Sequence, residues 1–291
     1  RRAVLLRHPA ENAEGGPLMA QLGCTCTPGE RHVLEAIDLT CGYKGKPVLE
    51  HVSLSVESGR VTCLLGPNGV GKTTLFKTLL GLLPPLSGEV RIDGIPRSSL
   101  SRKQFARKVS YVPQTHEPPF SYPVLDMVLT GCISHLGPLE SPSREDLARA
   151  AEALRTLGIE HLANRSYTEI SSGEQQMALI ARALMQNARI LMMDEPTAAL
   201  DFGNQVAVLQ CIKGMAGRSH GIIMTSHNPD HAFLCCSDAI LITPDGMVSS
   251  GAVDDVVTEA NLRRAYGIDV RITEAPGADG GPVKTCVPTL T

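Results

Sequence analysis

Apolar and polar positions divide this chain into short strands and helices. Val52, Leu54 and Val56 alternate with Ser53 and Ser55, the period of a half-buried strand. Residues 61–65 are continuously apolar, as a strand buried on both faces must be. A glycine-rich loop follows, then a helical pattern over 72–82 that Pro84-Pro85 closes. Residues 88–93 and 109–112 read as further strands, with a basic helical piece over 99–108 between them. From Thr115 the character changes: Pro118, Pro119 and Pro123 punctuate a loop, and helical patterns dominate to Asn187. One of these helices, over 143–157, has Ser143 as N-cap, acids in its first turn and Gly158 as its stop. Residues 189–193 and 221–225 read again as short buried strands, each followed by a helical stretch. Such alternation predicts a parallel sheet covered by helices. The segment 115–187 is then a helical subdomain of a domain spanning 31–273. Residues 1–30 carry no period and are expected to be a disordered leader. The tail over 274–291, rich in Gly, Pro and Thr, is expected to be disordered as well.

Composition narrows the function classes. With 43% apolar and 20% charged residues, the chain can bury a core. A net charge of −3 and 3% aromatics argue against nucleic-acid binding through bulk charge or base stacking. No stretch approaches the roughly 20 consecutive apolar residues that cross a bilayer. Nine scattered cysteines, several inside apolar runs, suit reduced thiols better than a disulfide framework.

The chemistry begins at Gly66-Pro67-Asn68-Gly69-Val70-Gly71-Lys72-Thr73, which fits G-x-x-x-x-G-K-[ST] between a buried strand and a helix. The glycines let successive backbone N–H groups converge, and the helix N-terminus, entered at Lys72, Thr73 and Thr74, adds partial positive charge. Lys72 supplies a point charge for β- and γ-phosphates, and the Thr73 hydroxyl can ligate Mg²⁺. The apolar strand 190–193 ends in Asp194-Glu195. Ligands of parallel sheets bind beyond the carboxyl ends of strands. Asp194 is therefore placed to meet that Mg²⁺, and Glu195 to polarise an attacking water. His227, His231 and Cys235 are spaced four apart, but Pro229 interrupts the start of any helix that would align them as metal ligands.

These motifs make the chain, over about 33–270, resemble the nucleotide-binding subunit of ATP-binding-cassette (ABC) transporters. The resemblance implies an α/β P-loop NTPase (RecA-like) core with an antiparallel β portion and a helical subdomain. It assigns Tyr43 to stacking on adenine, Gln114 to Mg²⁺ contact and sensing of the membrane partner, and His227 to the γ-phosphate. Ser171 and Gly173 lie in Ile170-Ser171-Ser172-Gly173-Glu174, at the place of the family's L-S-G-G-Q signature, and Asp201 lies in the loop that crosses the dimer. Lys72, Glu195 and His227 are the implied catalytic groups. Ser172 and Glu174 depart from the signature, and Ser171-x-x-Glu174 also reads as a capping box.

The implied partners are a second copy of the chain in a head-to-tail ATP sandwich, a multi-span permease and, indirectly, an external substrate-binding protein, with no nucleic acid. The implied location is the cytoplasmic face of the inner membrane, as a peripheral subunit. The segment 122–137 is similar to importers of metal chelates such as ferric siderophore, haem or cobalamin. Molybdate or tungstate import, and a non-transport ABC ATPase acting as a regulatory module, are the alternatives.

Overall fold

The computed structural model describes residues 31–114, 120–137, 139–198, 200–217, 220–246, 248–277 and 281–289. The leader expected over 1–30 lies outside them, as do residues 115–119 at the start of the expected helical segment. Strands β1 (Val33–Tyr43) and β2 (Lys46–Glu57) form an antiparallel hairpin, turning at Lys44 and Gly45, both at positive φ. Along β2, Val52, Leu54 and Val56 are buried while Ser53 and Ser55 face out, as their alternation predicts. Strand β3 (Val61–Leu65) is buried at all five positions and leads through the glycine-rich loop into α1 (Lys72–Leu79). Strands β4 (Ser87–Ile92) and β5 (Ile95–Pro96) complete a four-stranded antiparallel sheet ordered β2-β1-β4-β5.

The basic piece is shorter than its pattern suggests. A 3-10 turn over Arg97–Ser99 precedes α2 (Arg102–Ala106), which starts late because Ser101 caps it by accepting the Gln104 N–H. Then come β6 (Val109–Val112) and the helices α3 (Val124–Leu129), α4 (Arg144–Thr156) and α5 (Ser172–Met185), which pack on one another. Strand β7 (Ile190–Met193), α6 (Phe202–Ala216), β8 (Gly221–Ser226), α7 (Asp230–Cys235), β9 (Asp238–Ile242) and β10 (Val248–Ala252) follow. The second sheet runs β10-β9-β3-β8-β7-β6, parallel except where β10 pairs antiparallel with β9.

Alternation along these strands splits the core in two. Cys63, Leu65, Leu191, Met193, Ile222 and Met224 face the larger cluster, shared with α3–α6. Leu64, Ile190, Met192 and Ile223 face the smaller one, built with the antiparallel sheet and with Leu75, Phe76 and Leu79 of α1. The parallel sheet is thus covered on both faces, and its carboxyl edge holds the ends of β3, β7 and β8 together.

The tail differs from expectation. After α8 (Val253–Val256) and α9 (Glu259–Tyr266), strands β11 (Val270–Pro276) and β12 (Pro282–Pro288) pair from Val270↔Pro288 to Pro276↔Pro282. Residues 281–289, within the segment expected to be disordered, are therefore largely strand. The prolines sit at the ends of the ladder, where a missing N–H breaks little. Ile272 and Cys286 pack against the larger core, and the Cys286 N–H donates to Asp230 Oδ1 at 2.7 Å. Among the described residues no helix is long and apolar enough to cross a membrane.

Candidate nucleotide site

Two glycines of the loop between β3 and α1, Gly66 and Gly71, have no room for a side chain. Gly71 has φ 106°, and a Cβ there would come within 2.8 Å of Val48 and 3.0 Å of Leu49 on β2. The antiparallel sheet therefore presses directly on the loop. Helix α1 opens with no side-chain cap and no acid in its first turn, so its N–H groups and partial positive charge remain available to an anion. Lys72 is buried, and its ammonium donates to the Gly66 carbonyl at 2.6 Å and the Pro67 carbonyl at 3.0 Å. Burial holds its pKa below the ordinary lysine value, against the opposing charges of Glu195 and Asp194. Thr73 is exposed and Thr74 buried at the start of the helix.

The acidic pair stands across from this loop. Asp194 is buried directly beyond β7, and its Oδ1 accepts the Thr225 hydroxyl at 2.7 Å. Burial raises its carboxyl above the ordinary aspartate value. The same Thr225 oxygen accepts the Glu195 N–H at 2.7 Å. Glu195 has φ 44°, a left-handed backbone that non-glycine residues adopt at a cost of about 1–3 kcal/mol. That twist turns its carboxylate toward Lys72, 3.9 Å from Oε1, and toward His227 Nδ1, 3.1 Å from Oε2. Gln114 is exposed two residues past β6, at the same sheet edge, because β6 and β7 are neighbours and the Asp194 N–H donates to the Val112 carbonyl at 2.9 Å. Thr73, Asp194 and Gln114 offer hydroxyl, carboxylate and amide oxygens, a hard donor set that fits Mg²⁺. Tyr43 ends β1, half-exposed, in the sheet whose Val48 and Leu49 touch the loop.

The remaining sequence candidates form a second cluster. Ser171 caps α5: its hydroxyl accepts the Glu174 N–H at 3.3 Å, while Glu174 Oε2 accepts both the Ser171 N–H and the Ser171 hydroxyl at 2.8 Å. The capping box is therefore formed. Asp201 caps α6 by accepting the Asn204 N–H at 2.8 Å, and its other oxygen accepts the Asn204 amide. That amide lies 2.6 Å from where a Cβ on Gly173 would stand, so a side chain there would displace Asn204. Among the described residues, no hydrogen bond or ion pair joins this cluster to Lys72 or Glu195. Sequence reasoning did not single out Thr225, which holds both carboxylate residues; its signal is a polar residue ending an apolar strand.

An uncapped phosphate-type loop facing a magnesium-type donor set is the arrangement of a nucleotide hydrolase, and comparison with known proteins decides which. The family profile described as ABC transporter matches residues 49–198. The chain belongs to the ABC transporter family. It is 35% identical over 260 residues to the zinc transport system ATP-binding protein TroB of Treponema pallidum, covering 89% of this chain and 94% of that one. It is 36% identical over 255 residues to the hemin import ATP-binding protein HmuV of Bordetella avium, covering 85% and 97%. A structure described as an inward-facing metal-chelate type ABC transporter superposes with a TM-score of 0.79 at 28% identity, covering 89% of this chain and 98% of that one. The expected α/β P-loop fold is thereby met, and this ABC cassette is an ATPase.

Proposed function

We propose that this ABC ATPase energises import of a metal chelate, of the ferric siderophore, haem or cobalamin class, through a separate multi-span permease. The observation that carries this reading is the likeness over 89% of the chain to a metal-chelate type transporter. The sequence similarity of the segment 122–137 to chelate importers supports it. In this reading Tyr43 stacks on adenine and residues 66–74 hold the phosphates. Bound Mg²⁺, on Thr73, Asp194 and Gln114, would neutralise phosphate charge. Lys72 offers its ammonium to the β- and γ-phosphates. Glu195, oriented by His227, accepts the proton of the attacking water. His227 also reaches toward the γ-phosphate.

Ser171 and Gly173 lie outside the Lys72–Glu195 cluster, so each site is completed by these residues from a second copy, with Asp201 in the crossing loop. A symmetric head-to-tail pair satisfies this for both copies at once. The assembly works at the cytoplasmic face of the inner membrane and receives its cargo from an external binding protein.

The zinc-transport relative favours a second reading, import of an uncomplexed divalent metal. Uptake by the complex reconstituted with its permease, with ferric siderophore, haem, cobalamin, molybdate and free Zn²⁺ in competition, separates the two. ATP-dependent uptake of free Zn²⁺, undiminished by any chelate, overturns the chelate assignment.

A further inference from the structure

We infer that His231 is a positioning residue for hydrolysis, a neutral imidazole that locks Glu195 and His227 into register from beneath. The inference rests on the reading of Glu195 and His227 as the acting pair. His231 is buried on α7, and its ring nitrogens meet Ser226, Thr197 and Asn228. Its Nδ1 lies 2.9 Å from Ser226 Oγ and 3.4 Å from Thr197 Oγ1. Ser226 immediately precedes His227, and Thr197 follows Glu195 by two residues. One ring therefore touches both segments that carry the pair, which arrive from different strands, β8 and β7.

The surrounding hydrogen bonds select a single proton arrangement. Asn228 Oδ1 accepts the Asp230 N–H at 3.0 Å, which leaves the Asn228 amide nitrogen facing His231 Nε2 at 3.4 Å. An amide N–H₂ only donates, so Nε2 must accept and the ring proton must sit on Nδ1. Nδ1–H then donates to Ser226 Oγ, whose own proton goes to the Asn228 carbonyl at 3.2 Å. Ser226 Oγ also accepts the Asn228 N–H at 3.0 Å. The Asn228 amide faces an acceptor only when the imidazole is neutral; a second ring proton would oppose it. Burial, with the nearby His227 charge, keeps the His231 pKa below the ordinary value, against Asp230 and Glu195.

The network has a mechanical consequence. The left-handed Glu195 can swing if the segment after it is released. Small misplacements of a reacting group cost large factors in rate without altering substrate affinity. Among the described residues no hydrogen bond or ion pair joins His231 to Lys72 or the phosphate loop, so the main phosphate contacts stay in place without it.

The test is steady-state ATP hydrolysis and equilibrium ATP binding by the full chain. His231→Ala is expected to lower kcat about tenfold with the KM for ATP held within about twofold. His231→Gln, whose amide again supplies a donor and an acceptor, is expected to recover most of the rate. A kcat for His231→Ala within about twofold of wild type overturns the inference. So does a KM that rises in step with the loss, or a Gln variant no better than Ala. If His231→Ala does not fold, Ser226→Ala replaces it, judged on the same kcat-against-KM split. Glu195→Gln is run in parallel: wild-type turnover in that variant refutes the Glu195 role itself, whereas its loss beside an active His231→Ala refutes only the positioning.

Discussion

The Glu195 carboxylate lies 3.1 Å from His227 Nδ1, although the two residues belong to different strand ends and Glu195 stands on a left-handed backbone. A conformation of this cost persists only when its surroundings over-determine it. Here the Glu195 N–H is held by Thr225, and its two carboxylate oxygens face His227 and Lys72. The carboxylate is aimed by the protein's own groups.

Glu195→Gln keeps the shape and the left-handed turn but removes the proposed base. ATP binding, read by equilibrium titration, should be intact. Turnover, read by phosphate release at saturating ATP, should fall about 10²-fold or more, the scale of losing a positioned base. Wild-type turnover would remove Glu195 from the mechanism.

Thr225→Val is nearly isosteric and deletes one hydroxyl with two duties. That hydroxyl donates to Asp194 and accepts from the Glu195 N–H. Leaving two buried polar groups unpaired should cost about 2–4 kcal/mol of stability, measured by chemical denaturation. kcat should fall as well, since the backbone that aims Glu195 is no longer pinned. A variant as stable and active as wild type would show that Thr225 holds neither carboxylate residue.

Some of this architecture is legible in the chain because burial on both faces leaves a plain mark. Strands β3, β7 and β8 are short, mainly apolar runs buried at every position, and the loop 66–71 lies between one of them and a helix. The hairpin β11–β12 is not legible, because its prolines and threonines look irregular and its support comes from Asp230, distant in sequence. His231 is hidden for another reason: its partners Ser226 and Thr197 are common residues, and only the fold brings them to one ring. The left-handed φ of Glu195 leaves no trace in a residue type that seldom adopts it. The capping box at Ser171 and Glu174 shows the opposite case, where a local spacing predicts the hydrogen bonds outright.

That capping box suggests a gain-of-function experiment. Glu174 holds the Ser171 hydroxyl and places a carboxylate at the end of α5 that the proposed dimer turns toward phosphate. Ser172→Gly with Glu174→Gln keeps an oxygen acceptor for the Ser171 N–H and removes the charge. Phosphate release should rise, by about tenfold for each 1.4 kcal/mol of repulsion relieved in the transition state. An unchanged or lower rate would show that the carboxylate does not oppose hydrolysis.

Asp194 stands where burial penalises its charge. Burial raises its carboxyl above the ordinary 3.8, with Glu195 adding to the shift and Thr225 and Lys72 opposing it. The folded state therefore holds this proton more tightly than the unfolded chain. The resulting stability is present at low pH and is lost as pH rises through the raised folded value. Without nucleotide or metal, Asp194→Asn should unfold at a higher temperature than wild type near pH 7, by about 2–4 °C per kcal/mol recovered. The gap should close as pH falls toward 3.8. The same variant should lose magnesium-dependent hydrolysis. Thermal scans across pH without ligand check the sign; a variant less stable at pH 7 would contradict it.

Asp230 joins the tail hairpin to the helix that carries His231. Its Oδ1 accepts the Cys286 N–H at 2.7 Å and its Oδ2 the Thr285 hydroxyl at 3.4 Å. Helix α7 spans six residues and has no side-chain N-cap, so this docking is a substantial part of what fixes it. Asp230→Ala should cost about 1–3 kcal/mol locally, by leaving the Cys286 N–H unpaired. Amide exchange at Cys286 should accelerate. kcat should fall in the same direction as for His231→Ala but by less, because the Ser226–His231 bond survives. Asp230→Asn retains an acceptor for Cys286 and should restore both protection and rate. Faster exchange at Cys286 with unchanged kcat would confine the hairpin to a structural role and separate it from the His231 network.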